Sequence, residues 1–149
     1  MQMPIYFYRT NEKYGCFSNF ASYPIELDGQ IWPTSEHYFQ AQKFITINPS
    51  YSEKIRNTKS PMIAAKLGRS RKIPIRPDWE DVKDDVMRKV VLCKVMTHRD
   101  VHEYLVSTGD EEIIEKTTHD RYWGCGIDGT GKNMLGKILM EVRAKLIKP

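Results

Sequence analysis

The chain has 149 residues, a net charge of +4 at neutral pH, 40% hydrophobic and 28% charged residues, the make-up of an ordinary globular domain. That length predicts one self-sufficient domain over residues 1–149, and no run approaches the roughly 18 apolar residues that span a bilayer, so no membrane contact is expected. Its three cysteines and four histidines form neither a CxxC spacing nor an HExxH helix, which argues against a disulfide scaffold and a metal site.

At the start of the chain, Met1 to Phe7 lacks the basic stretch and small-residue cleavage site of a secretory leader, so a cytoplasmic protein is expected. Alternation in Ile5-Tyr6-Phe7-Tyr8 and in Pro24-Ile25-Glu26-Leu27 predicts two short strands, with Asp28-Gly29 as a hairpin turn after the second. Thr34 is a suitable N-cap for a helix from Ser35 to Phe44, which Asn48-Pro49 is expected to end. Ser60-Pro61 and Gly68 read as the cap, first-turn proline and terminating glycine of a short helix. Arg69, Arg71, Lys72 and Arg76 then fall in a proline-bearing exposed loop. With a pI near 8.9, this basic stretch suits phosphate-bearing ligands, though it also serves solubility.

Asp78 is placed to cap a long helix whose Val82, Val86, Met87, Val90 and Val91 make a buried stripe. His98 and His102 are spaced as one helical pair and read as surface. Ile113 to Lys116 predicts a strand, and Leu135, Ile138, Leu139, Val142 and Leu146 a closing amphipathic helix. The sum is an α+β domain dominated by helices.

Glu36, Gln40 and Lys43 recur at four and three, which sets a carboxylate, an amide and an amine on one helical face. Such a face can protonate a leaving group, hold a ribose hydroxyl and supply a nucleophile; it is equally the pattern of a solvated polar stripe. Tyr14 to Phe20 is a donor-rich aromatic turn, fit to grip a base or sugar or to pack on a core. Trp79, at a helix start, either stacks on a base or anchors the helix end. The glycines from Gly124 to Gly131 run into a helix N-terminus, a geometry that suits a phosphate, but they match neither GxGxxG nor the P-loop.

Four segments together resemble the NADAR, or YbiA-like, family. They are Phe7-Tyr8 with Tyr14 to Phe20, Trp32 to Phe44, Ser60-Pro61 through Gly68-Arg69, and Asp120 to Gly126 with Gly131 to Gly136; the likeness extends to Arg88-Lys89. The resemblance implies a single compact helix-rich α+β domain with a small β-sheet, acting without cofactor as an N-glycosidase on ribosylated amines. Two substrate classes come with it: early riboflavin-pathway intermediates, and ADP-ribosylated guanine in DNA, which makes nucleic acid a further partner. Glu36 and Lys43 fall in the helix that lines the family's active site, and Asn19, Trp79, Asp120, Trp123, Gly124 and Asn133 match motif positions. Cys125 departs from the aspartate of the YbiA-like pattern, which bears on substrate choice.

On this footing Lys43 is expected as a Schiff-base nucleophile, Glu36 as general acid and base, and Asp120 as the holder of the ribose hydroxyls. Asn19, Phe20, Gln40, Trp79, Trp123, Gly124 and Asn133 complete the expected substrate-binding set. A competing mechanism needs no covalent bond: water attacks with Glu36 as acid or base, and Lys43 stabilises charge. A non-catalytic module that binds ADP-ribose or nucleic acid is the alternative to an enzyme.

Overall fold

The computed structural model describes residues 3–147; the first two residues of the segment read for a leader lie outside it. Within it are six α-helices and two separate two-stranded sheets, an α+β, helix-rich architecture. No described helix is long and apolar enough to cross a membrane. By its contacts the chain forms two compact units, Ser22–Lys94 and Met1–Ala21 with Val95–Pro149.

The Ser22–Lys94 unit opens with β2 (Ile25–Leu27) and β3 (Gln30–Trp32), following β1 (Ile5–Phe7) of the other unit. β2 and β3 pair antiparallel with Ile25 opposite Trp32. The link is Asp28-Gly29, both at positive φ (55° and 77°), as a tight hairpin whose twist matches its strands requires. Three helices follow: α1 (Ser35–Gln42), α2 (Pro49–Arg56) and α3 (Pro61–Arg69), all in mutual contact. Thr34 caps α1 by accepting from the His37 backbone N–H, and its hydroxyl also meets His37 Nδ1 at 2.8 Å. His37 Nε2 in turn meets the Thr58 carbonyl at 3.0 Å, which ties α1 to the segment before α3. Trp32 packs edge-on against Tyr38 at 5.1 Å, and Phe44 against Tyr51 at 4.6 Å. Ala41, Phe44, Ile55 and Ala64 are completely buried.

Two expectations are corrected here. Asn48-Pro49 does not merely end the preceding helix: Asn48 accepts from the Tyr51 N–H and Pro49 occupies the first turn, so the pair starts α2. The same two residues can stop one helix and cap the next, because a proline that breaks a helix interior is preorganised for a first turn. Gly68 does not terminate α3 either; it lies within the helix, whose C-cap is Ser70. Ser60 caps α3 as expected, accepting from the Met62 and Ile63 N–H groups. From Ser70 to Asp78 the chain is irregular. Asp78 precedes α4 (Trp79–Thr97), with its carboxylate forked onto Arg76 at 2.6 and 2.9 Å. The buried stripe of α4 runs through Met87, Val90, Val91, Lys94 and Val95, while Val82 and Val86 are only half-buried.

In the other unit β1 pairs parallel with β4 (Ile113–Glu115), Ile5 opposite Ile113. The sequence suggested one small sheet, whereas β1 and β2 belong to different ones. α5 (Arg99–Ser107), which the sequence reading did not anticipate, begins after His98, and His98 and His102 are half-buried. α6 (Met134–Leu146) buries Leu135, Ile138, Leu139 and Val142 as its periodicity predicts. Arg143 on α6 is buried as well, and its Nη1 donates to Thr108 Oγ1 at 2.8 Å and the Glu111 carbonyl at 2.7 Å.

Candidate active site

All eight residues of α1 are buried, including the polar ones. The face carrying Glu36 and Gln40 is therefore not a solvated stripe. Glu36 and Lys43 are each 5% exposed and Gln40 2%. Gln40 Nε2 donates to Glu36 Oε2 at 2.7 Å, an i,i+4 bond that holds the carboxylate along the helix. Lys43 is the C-cap residue of α1, with αR backbone angles, so it extends the same face by one turn. Its Nζ donates to the Gly68 carbonyl at 3.4 Å. It also lies 5.7 Å from the Phe39 ring and 5.8 Å from the Trp79 ring, within cation–π range.

The ends of α1 suit this arrangement. Glu36 stands in the first turn, where helix dipole and free N–H groups favour a negative charge, and Lys43 stands at the opposite end, where a cation is favoured. The carbonyl that Lys43 meets belongs to the last turn of α3, whose carbonyls lack intrahelical donors. Arg71 Nη1 donates to the same oxygen at 2.9 Å.

Burial pushes the Lys43 amine down from an ordinary 10.5 to about 8. The nearby Arg71 guanidinium adds to the depression, Glu36 opposes it, Arg69 adds a little more and Glu80 opposes it. An amine of that strength is neutral in roughly a tenth of molecules at pH 7, against fewer than about one in a thousand for a free lysine. Such a side chain is a competent nucleophile.

Of the residues singled out in the sequence, the structure brings Glu36, Gln40, Lys43 and Trp79 together in the Ser22–Lys94 unit. Trp79 is 5% exposed and packs edge-on against Phe39 at 5.1 Å. It is thus both the helix-end anchor and a neighbour of Lys43. Phe39, Gly68 and Arg71 complete these contacts. Sequence reasoning missed Phe39 in this role, although its i,i+4 spacing to Lys43 was a usable signal. It read Gly68 as a stop and Arg71 only as part of a basic loop.

Asn19, Phe20, Asp120, Trp123, Gly124 and Asn133 lie in the other unit. Asn19 is buried and Phe20 half-buried. Asp120 Oδ1 accepts from the Tyr122 and Trp123 N–H groups at 2.9 and 2.8 Å, which folds the turn and fixes the half-buried Trp123 backbone. Gly124 is required by packing, since a Cβ there would lie 2.4 Å from the Thr117 side chain. The Asn133 amide bridges to β4, accepting from Glu115 N–H and donating to the Ile113 carbonyl, both at 2.9 Å.

The phosphate cradle expected before α6 takes a different form. The Met134 and Leu135 N–H groups donate to the Tyr122 and Trp123 carbonyls at 2.9 and 3.0 Å. Donors that a helix start would offer to an anion are therefore used to pin the loop. Near this loop a cleft of about 670 Å³ opens among Tyr8, Arg9, Lys116, Cys125 and Ile127, so the position departing from the family pattern borders open space. Among the described residues no group of three or more histidine, cysteine, aspartate or glutamate side chains is placed to hold a metal ion.

The NADAR domain family matches the chain over residues 6–147. The chain is 51% identical to N-glycosidase YbiA of Escherichia coli, over 95% of this chain and 88% of that protein. It is 40% identical to a riboflavin biosynthesis protein of Vibrio vulnificus, over 98% of this chain and 39% of that one. The solved NMR structure of the Escherichia coli protein YbiA superposes with a TM-score of 0.89 at 50% identity, covering 98% of this chain and 86% of that one.

Proposed function

The chain belongs to the NADAR family and, with it, to the N-glycosidases, hydrolases of N-glycosyl bonds; we propose that it hydrolyses the C1′–N bond of ribosylated exocyclic amines, with Lys43 as nucleophile and Glu36 as general acid and base. One observation carries the residue assignment: a carboxylate and an amine, both 5% exposed, stand on one buried face of α1, with burial bringing the amine to about 8. Burying a pair of ionisable groups costs folding stability, and such groups cluster at functional sites.

A ribosylated amine opens its ring when O4′ takes a proton from the Glu36 carboxyl and the C1′–O4′ bond breaks, leaving a C1′=N iminium. Neutral Lys43 Nζ adds to C1′, and one of its protons returns to Glu36. Glu36 then passes that proton to the exocyclic nitrogen; the C1′–N bond breaks, the amine leaves, and C1′ becomes a protonated imine of Lys43. Water adds to C1′ as Glu36 accepts its proton; Glu36 passes that proton to Nζ and takes the C1′ hydroxyl proton as the C1′–Nζ bond breaks, releasing the sugar aldehyde and neutral lysine and leaving Glu36 protonated as at the start. The balance is one water consumed, one amine and one ribosyl sugar formed. Asp120 is proposed as a sugar-hydroxyl acceptor of its own unit, with Oδ1 already serving the turn. Trp79, beside Lys43, is proposed to border the base or adenine, and Trp123 is proposed as a stacking residue of its own unit.

The Vibrio relative's name, a riboflavin biosynthesis protein, supports a ribosylamino-pyrimidine as the substrate, and ADP-ribosylated guanine in DNA is the second to be assayed. Incubation of each with borohydride should reduce the imine and leave a ribosyl adduct on Lys43, seen by peptide mass. Lys43→Ala and Glu36→Gln should each lower turnover by at least about 100-fold. Normal turnover with Lys43 unmodified would refute the covalent route. Tight ADP-ribose binding with no amine released from any substrate would identify a binding module instead.

A further inference from the structure

Gly68 sits inside a helix, where glycine weakens the backbone relative to alanine, and its φ does not require glycine, since among the described residues the glycines with positive φ are Gly29, Gly109, Gly126 and Gly129. Its need lies in what faces it. A Cβ at this position would lie 2.0 Å from Gln40 Oε1 and 2.7 Å from both Gln40 Cβ and Cδ. The side-chain tip could rotate away, but Gln40 Cβ is fixed to the α1 backbone, so the clash would force α1 and α3 apart.

The orientation of the seated amide is dictated from the other side. Its Nε2 donates to Glu36 Oε2 at 2.7 Å; flipped, it would set two acceptors against each other at that distance. Oε1 is consequently turned toward the Gly68 backbone, buried and without a hydrogen bond. A buried amide oxygen left unsatisfied is destabilising and calls for a reason. Here it follows from holding the nitrogen end on Glu36. The carbonyl of the same glycine receives Lys43 Nζ at 3.4 Å and Arg71 Nη1 at 2.9 Å.

From this geometry we infer that Gly68 is a positioning residue for both reacting groups: its missing side chain seats Gln40, which holds Glu36, while its carbonyl holds Lys43. The inference rests on the reading of Glu36 and Lys43 as the reacting pair. Gly68 touches no substrate atom; it acts through Gln40, through the distance between α1 and α3, and through its carbonyl, which accepts from Lys43 Nζ.

The test compares wild type with Gly68→Ala, Gln40→Met and the double variant. Turnover is read against pH, and the Glu36 carboxyl is titrated by carbon NMR. Loss of the Nε2 donor destabilises the carboxylate, so the Glu36 midpoint and the acid limb of kcat should move to higher pH in both single variants. The double variant should move no further than either single, because both act on one contact. kcat should fall at least about tenfold, with KM changing less than about threefold, as for a group that serves the reaction more than binding. If Gly68→Ala fails to fold, Gly68→Ala with Gln40→Gly removes the opposing Cβ; it should fold and keep the same loss. A Glu36 titration unmoved by Gly68→Ala, or effects that add in the double variant, would overturn the inference. Titration shifts as described in a protein that cleaves no ribosylated amine would leave the Gly68–Gln40–Glu36 contact standing but reject the proposed reaction, and with it the catalytic meaning of that contact.

Discussion

A lysine brought to about 8 by burial has consequences for stability as well as chemistry. Between pH 8 and the ordinary 10.5 the unfolded chain binds the proton that the folded chain has released, so folding stability rises with pH across that window. Below about 8 the folded protein carries a buried cation at the full penalty. Lys43→Met should therefore stabilise the protein by ~1–3 kcal/mol at pH 7, with the gain fading as pH climbs from 8 towards 10.5. Urea unfolding at pH 7 and pH 10 measures this, and an unchanged midpoint at pH 7 would mean that the ammonium is well solvated. Arg71 is the largest charged contributor to the depression and shares the Gly68 oxygen with Lys43. Arg71→Gln should raise the midpoint for Lys43 acylation above 8, whereas an unmoved midpoint would return Arg71 to the solvent-exposed basic loop.

Among the secondary elements, α1 gains its chemistry from direction as much as from side chains. It places the acid in its first turn and the amine at its C-cap, each at the end whose dipole stabilises that charge. The start of α6 shows the opposite use of a helix end. Its first N–H groups are closed off by the preceding loop, and Asn133, in the left-handed region at φ 54°, ties it to β4. Asn133→Ala removes two hydrogen bonds and places a Cβ-bearing residue without local compensation in that region. A loss of about 2–4 kcal/mol is expected by thermal or urea unfolding, with Asn133→Gly recovering the backbone share. Unchanged stability with a raised KM would favour the substrate-binding reading of Asn133 over this bridging one.

For the whole molecule, a net charge of +4 is too small to identify a polyanion by itself, although Arg69, Arg71 and Lys72 are exposed. Substrate binding by a riboflavin-type intermediate should weaken only slightly with salt, with a log–log slope of about −1 to −2 for one or two phosphate contacts. A slope steeper than about −4 would indicate several contacts to a nucleic-acid backbone. The measurement separates the two substrate classes without assuming which step of the reaction is slow.

Local signals were legible from the residues alone: Thr34 and Ser60 as caps, Asp28-Gly29 as the hairpin, the apolar stripe of α6 and the family motifs around Glu36 and Lys43. Each depends on neighbours within a turn or two of chain, so the physics that decides it is written contiguously. Pairing of β1 with β4 was not legible, because parallel strands are joined by chain far from either. Nor could periodicity tell whether the face of Glu36, Gln40 and Lys43 meets water or protein, since a polar stripe looks alike in both cases until its neighbours are placed. Tertiary structure made that decision by bringing α3 against α1 closely enough that only a glycine fits at 68. Burial then set the strength of Lys43, a property fixed by the surrounding medium and charges and not by the residue's own chemistry.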